Sequence, residues 1–167
     1  MNIAFKVYTF LPEEAKNIRT SVFVDEQHFV DEFDESDDKA IHIVMFDGDL
    51  AIGTSRIIYS EEHKSLCIGR FAIIKSYRGK HLGEKLMKVT EQEILKRFGE
   101  GEVGVSSQER AAKFYEKQGY KYSGEKYLDQ YCPHVWMTKK LNWAKQKTKF
   151  LIKKHANLRV FFCLAEN

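Results

Sequence analysis

The chain has little proline, little cysteine and no long apolar run: two prolines and three cysteines occur in 167 residues. A helix that crosses a bilayer needs about 18 apolar residues in a row, and none of the apolar segments reaches that length. The start of the chain also lacks a basic leader followed by a long apolar stretch. We therefore expect a cytoplasmic protein with no membrane partner.

The cysteines Cys67, Cys132 and Cys163 are odd in number and far apart. They lack the paired spacing of a zinc site or of a disulfide framework. We expect reduced thiols in the core.

Hydrophobic residues make up 43% of the chain and charged residues 31%. These proportions exclude a disordered tail and a collagen-like or low-complexity repeat. A chain of this length can form one domain and is too short for two with separate cores.

Charge is unevenly distributed, although the net charge is only +3. From Lys140 to its end the chain is rich in lysine. This basic tail is either a solvated extension or a contact for an anionic surface. Nothing in the sequence favours nucleic acid as its partner. The acidic segment is either a solvated face or a source of negative potential for a cationic substrate. It lacks the glycine and the terminal glutamate of a calcium loop, so we predict no metal site. Residues 25–38 contain eight acidic side chains and no lysine or arginine: Asp25, Glu26, Asp31, Glu32, Asp34, Glu35, Asp37 and Asp38.

The periodicity of apolar residues predicts a mixed α/β fold. A strand pair joined by the turn at Gly48 reads as a hairpin, and the apolar run before Lys75 reads as the central, doubly buried strand. Ser106 and Glu109 have the spacing of a capping box that begins the last helix. The predicted strands cover residues 3–9, 40–46, 50–59, 66–74, 103–105, 120–127 and 134–141, and the predicted helices cover residues 12–27, 81–98 and 106–118. Residues 142–167 are surplus to this plan, and their aromatic residues suggest a further helix and strand.

A polar turn between the central strand and the second helix has the composition of an anion-binding loop. Amides at a helix N-terminus lack acceptors and carry the positive end of the helix dipole, so they can bind phosphate oxygens. Gly79 and Gly83 permit close approach, while Arg78 and Lys80 add positive charge. The same residues also make ordinary turns. Glu84 after Gly83 excludes a Walker-type phosphate loop.

Tyr115 lies on one face of the last predicted helix together with Ala111. A tyrosine at such a position is either part of the core or a proton donor, because a phenol can protonate a thiolate leaving group.

These segments together resemble the GCN5-related N-acetyltransferase (GNAT) family. RGKHLG at residues 78–83 is similar to the family's pyrophosphate signature, and AAKFYEKQGY at residues 111–120 follows at the family's distance. Four further segments are similar to the ElaA-like branch: IRTSVFVDEQ at residues 18–27, the acidic loop that ends with Asp37, Asp38 and His42, IGRFAI at residues 68–73 and YCPHVWM at residues 131–137. The resemblance implies an acetyltransferase domain at residues 1–141, with a mixed, mostly antiparallel sheet of six to seven strands flanked by helices. Residues 142–167 form a basic extension packed on this domain or appended to it.

The resemblance also implies a set of site residues. The pantetheine of acetyl-CoA lies along the backbone of Phe71, Ala72 and Ile73, and Tyr115 is the general acid beside the thioester sulfur. His81 stands where the family usually has glycine. The pyrophosphate lies on Arg78, Gly79, Lys80, His81, Leu82 and Gly83.

The implied reaction moves an acetyl group from acetyl-CoA to a primary amine, in a small molecule or a peptide, by direct attack on the thioester. An alkylammonium must first lose a proton, and the two candidates for the base are Glu26 and His134. Glu26 can equally be a solvated helix end, and His134 a hydrogen-bonded strand terminus. The alternative function is a non-catalytic acyl-CoA sensor or interaction module. A homodimer is left open.

Overall fold

A computed structural model of the chain describes residues 1–143. Seven strands form one sheet in the order β1-β2-β3-β4-β5-β7-β6. All neighbouring strands are antiparallel except β4 and β5, which are parallel. The strands are β1 Ile3–Tyr8, β2 Ile41–Asp47, β3 Leu50–Ser60, β4 Ser65–Ile73, β5 Gly101–Gln108, β6 Lys121–Asp129 and β7 Cys132–Leu141.

Three α-helices accompany the sheet: α1 Glu13–Arg19, α2 Leu82–Phe98 and α3 Ala112–Gln118. Helix α1 continues into a wide π-helical turn, Thr20–Asp25, and α2 ends at Gly99, whose φ of 80° suits glycine. Short 3-10 turns cover Glu35–Lys39, Lys75–Tyr77 and Glu109–Ala111. Among the described residues, no helix is long and apolar enough to cross a bilayer.

The two faces of the sheet are covered by different helices. Side chains alternate along β2, so that Ile43 and Met45 join the core beneath α2, while Val44 and Phe46 pack on the side of α1. The apolar face of α2 contributes Leu86, whose side chain is fully buried. The predicted α/β class, the mixed sheet and the hairpin are confirmed.

The predicted start of the last helix is wrong. Ser106 lies in β5, which extends to Gln108. The last three residues of β5 pair with three residues of β7: Ser106 with Trp136, Ser107 with Val135 and Gln108 with His134. Helix α3 begins only at Ala112, after a 3-10 turn, and no side chain caps it. The capping-box spacing was therefore overridden by strand pairing.

β4 is central as predicted, but it is not buried throughout. Cys67, Ile68 and Ala72 are buried, whereas the other residues of the strand are partly exposed. The boundary at residue 141 stays a prediction, and the helix and strand expected within residues 142–167 lie almost wholly outside the described residues.

Candidate active site

The parallel strands β4 and β5 pair over a short distance and then separate. Their pairs are Leu66 with Val103, Cys67 with Gly104 and Ile68 with Val105. Beyond these pairs, β5 remains paired with β7 and β4 remains paired with β3. The gap between residues 69–73 and residues 106–108 is called the fork below.

The edge of β4 that faces the fork offers main-chain groups to a ligand. Ile74 donates its amide to Ile52 of β3 at 3.0 Å. Because successive residues of a strand direct their amides to opposite edges, the amide and carbonyl of Ile73 face the fork. Arg70 has a φ of 48°, which marks a local distortion of β4 at the same place.

The predicted anion-binding loop lies at the end of β4 and leads into α2. Its first amide is already used, since Arg78 N donates to Lys75 O at 3.3 Å. The N-terminus of α2 has no side-chain cap, and the amides of its first turn lack helical acceptors. Gly83 lies close to the rings that line the fork: a Cβ there would be 3.2 Å from Phe114. The amides of the first turn of α2 are therefore not occupied by a capping side chain and can receive an anion.

His81 occupies the position before α2 in a left-handed conformation, with a φ of 57°. Glycine adopts this conformation without strain, and a side chain costs about 1 kcal/mol. The imidazole is 80% exposed and lies 2.9 Å from Glu84, so it projects into solvent. The strain therefore falls on the backbone of His81.

The structure brings Glu26 and Arg78 together. Arg78 Nη1 donates to Glu26 Oε2 at 2.8 Å and Nη2 donates to Oε1 at 3.1 Å, while Nε donates to the carbonyl of Ile73 at 2.8 Å. The guanidinium of Arg78 thus lies across the exposed edge of β4. Glu26, one candidate base, is held by a cation, and Arg78, one candidate phosphate ligand, is held by an anion.

Tyr115 is placed by α3 against an aromatic group beside the fork. Its ring lies 6.2 Å from Phe71 and 5.1 Å from Phe114, centroid to centroid. Burial raises the pKa of Tyr115, and the nearby Cys67 raises it further. The raised pKa keeps the hydroxyl protonated at neutral pH. Among the described residues it has no hydrogen-bond partner, so it can donate a hydrogen bond to a ligand.

His134 lies at the start of β7 and is buried. Its Nδ1 lies 2.9 Å from the carbonyl oxygen of Cys132. A carbonyl only accepts, so Nδ1 carries the proton of the neutral ring and Nε2 keeps its lone pair. Nε2 is therefore the nitrogen that can take a proton.

A cavity of about 590 Å³ lies beside His134. Phe29, which forms part of its wall, lies 6.5 Å from the ring of His134. This volume is within the range of small-molecule sites. The lining residues come from the segment after α1, the turn before α3 and the β6–β7 connection: Glu26, Gln27, Phe29, Glu109, Arg110, Tyr131, Cys132 and Pro133.

Six of the eight acidic residues in the acidic segment are exposed, as both interpretations predicted, but two are not. Glu32 and Asp37 are buried, with 5% and 3% of their surface exposed. Arg19 binds both: Nε donates to Glu32 at 2.7 Å, and Nη1 and Nη2 donate to the two oxygens of Asp37 at 2.6 and 2.9 Å. These carboxylates are neutralised in the interior.

Two further arginines complete this arginine cluster, which consists of Arg19, Arg56 and Arg70. Arg56 of β3 donates to Asp37 at 2.8 Å, and Arg70 of β4 donates to the carbonyl of Glu32 at 3.1 Å. Burial acts to raise the pKa of Asp37, but hydrogen bonds from Arg19 and Arg56 outweigh it and hold this pKa well below its usual range. The cluster fixes the segment that carries Phe29 into the cavity.

The sequence analysis missed the polar residues between the fork and the cavity. Gln108 Nε2 donates to Gln27 Oε1 at 2.7 Å, which joins the end of β5 to the segment after α1. Arg110 donates to both glutamines, from Nη2 to Gln27 at 2.6 Å and from Nε to Gln108 at 2.8 Å. No spacing in the sequence signals these contacts, because Gln27 is far from the other two along the chain.

Comparison with known proteins agrees with this geometry. A family model described as an acetyltransferase (GNAT) domain matches residues 9–141. YyaT of Bacillus subtilis is 36% identical over 135 residues, which cover 77% of this chain and 88% of YyaT. The uncharacterized N-acetyltransferase YjcF of the same organism is 32% identical over 130 residues, which cover 76% of this chain and 91% of YjcF.

Among solved structures, the crystal structure of Escherichia coli ElaA is similar, with a TM-score of 0.69 and 25% sequence identity. The match covers 75% of this chain and 87% of ElaA. The predicted family and its ElaA-like branch are confirmed. The chain, which carries the family's domain over most of its length, therefore belongs to the GNAT acetyltransferases and is an acyltransferase.

Proposed function

We propose that the protein transfers an acetyl group from acetyl-CoA to a primary amine by direct attack of the amine on the thioester. The observation that carries this proposal is the fork itself. The rings of Phe71 and Phe114 connect its exposed strand edge, the uncapped start of α2 and the ring of Tyr115. Membership in an acetyltransferase family supports the acetyl donor.

Acetyl-CoA would bind with its pantetheine along Phe71, Ala72 and Ile73. Its diphosphate would lie at the loop from Arg78 to Gly83, where the uncapped amides and the helix dipole favour negative charge. To receive it, Arg78 would exchange Glu26 and the carbonyl of Ile73 for the ligand. Binding energy from the nucleotide end, remote from the reacting carbon, would then hold the thioester in place.

The acceptor must lose a proton before it attacks. An alkylammonium has a pKa of about 10.4, so only about 1 part in 2,500 is neutral at pH 7. Its deprotonation therefore costs about 4.6 kcal/mol. We assign the general base to His134, because its Nε2 has a lone pair, whereas Glu26 is held by Arg78. The base acts directly or through one water molecule.

The amine nitrogen forms a bond to the thioester carbon, and the carbonyl oxygen becomes negative. The amide of Ile73, which faces the fork, would stabilise this oxygen. His134 has taken the proton that the ammonium loses before attack. As the carbon–sulfur bond breaks, the leaving thiolate takes the proton of Tyr115, and the second proton of the attacking nitrogen restores the Tyr115 hydroxyl. His134 returns to its starting state by exchange with solvent.

Replacement of Tyr115 by phenylalanine tests this proposal. We expect Tyr115→Phe to lower kcat for release of free CoA thiol by about 10²- to 10⁴-fold, because the proton donor is lost. Acetyl-CoA binding, measured by calorimetry, should be retained. Tyr122→Phe, at an exposed position of β6, is the matched control and should leave kcat unchanged.

The sensor alternative makes a different prediction for the same measurements. A sensor binds acetyl-CoA and releases no thiol with any amine of a panel that includes polyamines, amino sugars and peptide N-termini. Full activity of Tyr115→Phe would remove Tyr115 from the mechanism.

A further inference from the structure

The charges that line the cavity do not cancel. Glu26 is paired with Arg78, and Glu109 forms an ion pair with Lys126. Arg110 has no carboxylate partner among residues 1–143, since its hydrogen bonds go to the neutral amides of Gln27 and Gln108. One positive charge therefore remains on the wall of the cavity.

This arrangement sets Arg110 apart from the other arginines of the described chain. A guanidinium normally reaches a carboxylate where one is available, because charge-assisted hydrogen bonds are about twice as strong as neutral ones. Each of the others has such a partner: Arg19, Arg56, Arg70, Arg78 and Arg97.

The two glutamines hold the guanidinium of Arg110 in a defined orientation. Gln27 Oε1 accepts from Nη2 and Gln108 Oε1 accepts from Nε, while Nη1 has no partner among the described residues. A guanidinium has five N–H donors, so the edge formed by the two terminal nitrogens can still bind an anion. That edge suits the two oxygens of a carboxylate.

The remaining wall of the cavity is apolar. The rings of Phe29 and Tyr131 lie 5.3 Å apart, centroid to centroid, and Pro133 adjoins them. A flat or branched apolar group fits against these rings. Pro133 in the cavity wall directly precedes His134, the proposed base, so an amine bound in the cavity lies on the side of that base.

We propose that the acceptor is an amine that also carries a carboxylate and an apolar side chain, as an amino acid does, and that Arg110 binds the carboxylate. This inference rests on the proposed function and names its acceptor class. Arg110 is a specificity-determining residue, since it does not contact the reacting atoms. The apolar side chain packs on Phe29 and Tyr131.

The test uses phenylalanine and phenethylamine, which share the amine and the ring and differ in the carboxylate. We expect the wild-type protein to prefer phenylalanine by about 10- to 100-fold in kcat/KM for thiol release and in Kd by calorimetry with CoA present. Arg110→Gln should abolish this preference, because kcat/KM falls far more for phenylalanine than for phenethylamine. Arg110→Lys keeps the positive charge but lacks the paired N–H donors of a guanidinium, so this variant should retain part of the preference for phenylalanine.

Each outcome decides the inference. The inference is overturned if the two compounds bind with equal affinity, or if titration with phenylalanine gives no heat in calorimetry. It is also overturned if Arg110→Gln keeps the wild-type preference. Because calorimetry does not depend on turnover, binding of phenylalanine through Arg110 without thiol release would instead refute the proposed function. Thermal unfolding of both variants checks that the exposed Arg110 does not affect folding.

Discussion

At the scale of single residues, a side chain's partner determines which chemistry it can perform. Glu26 and His134 are equal candidates for the base in the sequence, and the structure separates them by their partners. Glu26 faces the guanidinium of Arg78, whereas His134 has a carbonyl on one nitrogen and a lone pair on the other. The pair Glu26–Arg78 also joins the acceptor side of the site to the loop proposed for the diphosphate.

Replacement of Glu26 should therefore strengthen the binding of acetyl-CoA. We expect Glu26→Gln to lower the Kd of acetyl-CoA severalfold, because Arg78 no longer exchanges a carboxylate for the diphosphate. The effect is small because both side chains are partly exposed, and such ion pairs contribute about 0–1 kcal/mol. Calorimetry measures the Kd, with Glu125→Gln on the exposed strand β6 as the control.

The same variant discriminates between the two bases. With His134 as the base, Glu26→Gln keeps kcat within about tenfold of the wild-type value, whereas His134→Ala lowers it by about 10²-fold or more. A large loss of kcat in Glu26→Gln with normal acetyl-CoA binding would assign the base to Glu26.

The sequence identifies candidate residues that belong to local motifs, and it misses those whose role depends on distant partners. Tyr115 and the loop at residues 78–83 stand in continuous motifs that resemble the GNAT family. The significance of Arg110 comes from its contact with Gln27 and from the absence of an ion-pair partner for it among residues 1–143. Neither property is visible in a linear pattern.

At the scale of elements, apolar periodicity predicts the strands and α2 well. It fails where two local signals compete, as at Ser106, where pairing with β7 prevails over the spacing of a capping box. It also does not predict the π-helical turn Thr20–Asp25, because the apolar side chains of α1 continue into that turn without a break.

Strand β5 packs tightly against β7 at one glycine. A Cβ at Gly104 would lie 2.0 Å from the Trp136 ring, which is buried and stacks on His63. We expect Gly104→Ala to lower the free energy of unfolding by about 1–3 kcal/mol, since the ring must move. Denaturant titration measures this loss.

Gly101→Ala in the same strand is the matched control, because a Cβ there meets no atom within 4 Å. Equal stability of the two variants would show that Trp136 moves without cost.

At the scale of the whole molecule, the arginine cluster ties α1, β3 and β4 to the acidic segment. The strongly charged composition predicts an exposed segment, which holds for six of the eight carboxylates and fails for Glu32 and Asp37. The three arginines that neutralise these two carboxylates come from three separate elements, so only the fold reveals them. Charge composition alone cannot distinguish a solvated loop from a buried ionic network.

This network makes the stability of the protein dependent on pH. Burial lowers the pKa of His42, and its Nδ1 is buried without a hydrogen-bond partner in the described chain. Below about pH 6.5 the unfolded chain takes up a proton that folded His42 excludes, so stability falls. Near pH 4 and below, the unfolded chain protonates Asp37 while the folded protein keeps it ionised, because its pKa is lowered there. Stability therefore falls further. Burial raises the pKa of Glu32, which opposes part of the acid decrease. We expect the melting temperature to fall between pH 7 and pH 5 through His42 and again near pH 4 and below through Asp37.

His42→Gln separates the two contributions. Glutamine can still donate to the carbonyl of Asp37, which lies 3.0 Å from His42 Nε2, and it does not titrate. The variant should lose the decrease between pH 7 and pH 5 and keep the decrease near pH 4. His28→Gln, at an exposed position, should keep both, and an unchanged profile in His42→Gln would contradict the assignment.

The π-helical turn after α1 has a consequence for chain length. A π-helical turn holds one residue more than an α-helical turn, so a deletion within residues 20–25 would convert it to ordinary helix. Each residue of an α-helix advances the chain by about 100° around the axis. Because the π-helical turn absorbs its extra residue, such a deletion would leave Glu26 facing Arg78 and Phe29 in the cavity wall, whereas the same deletion within α1 would rotate both away.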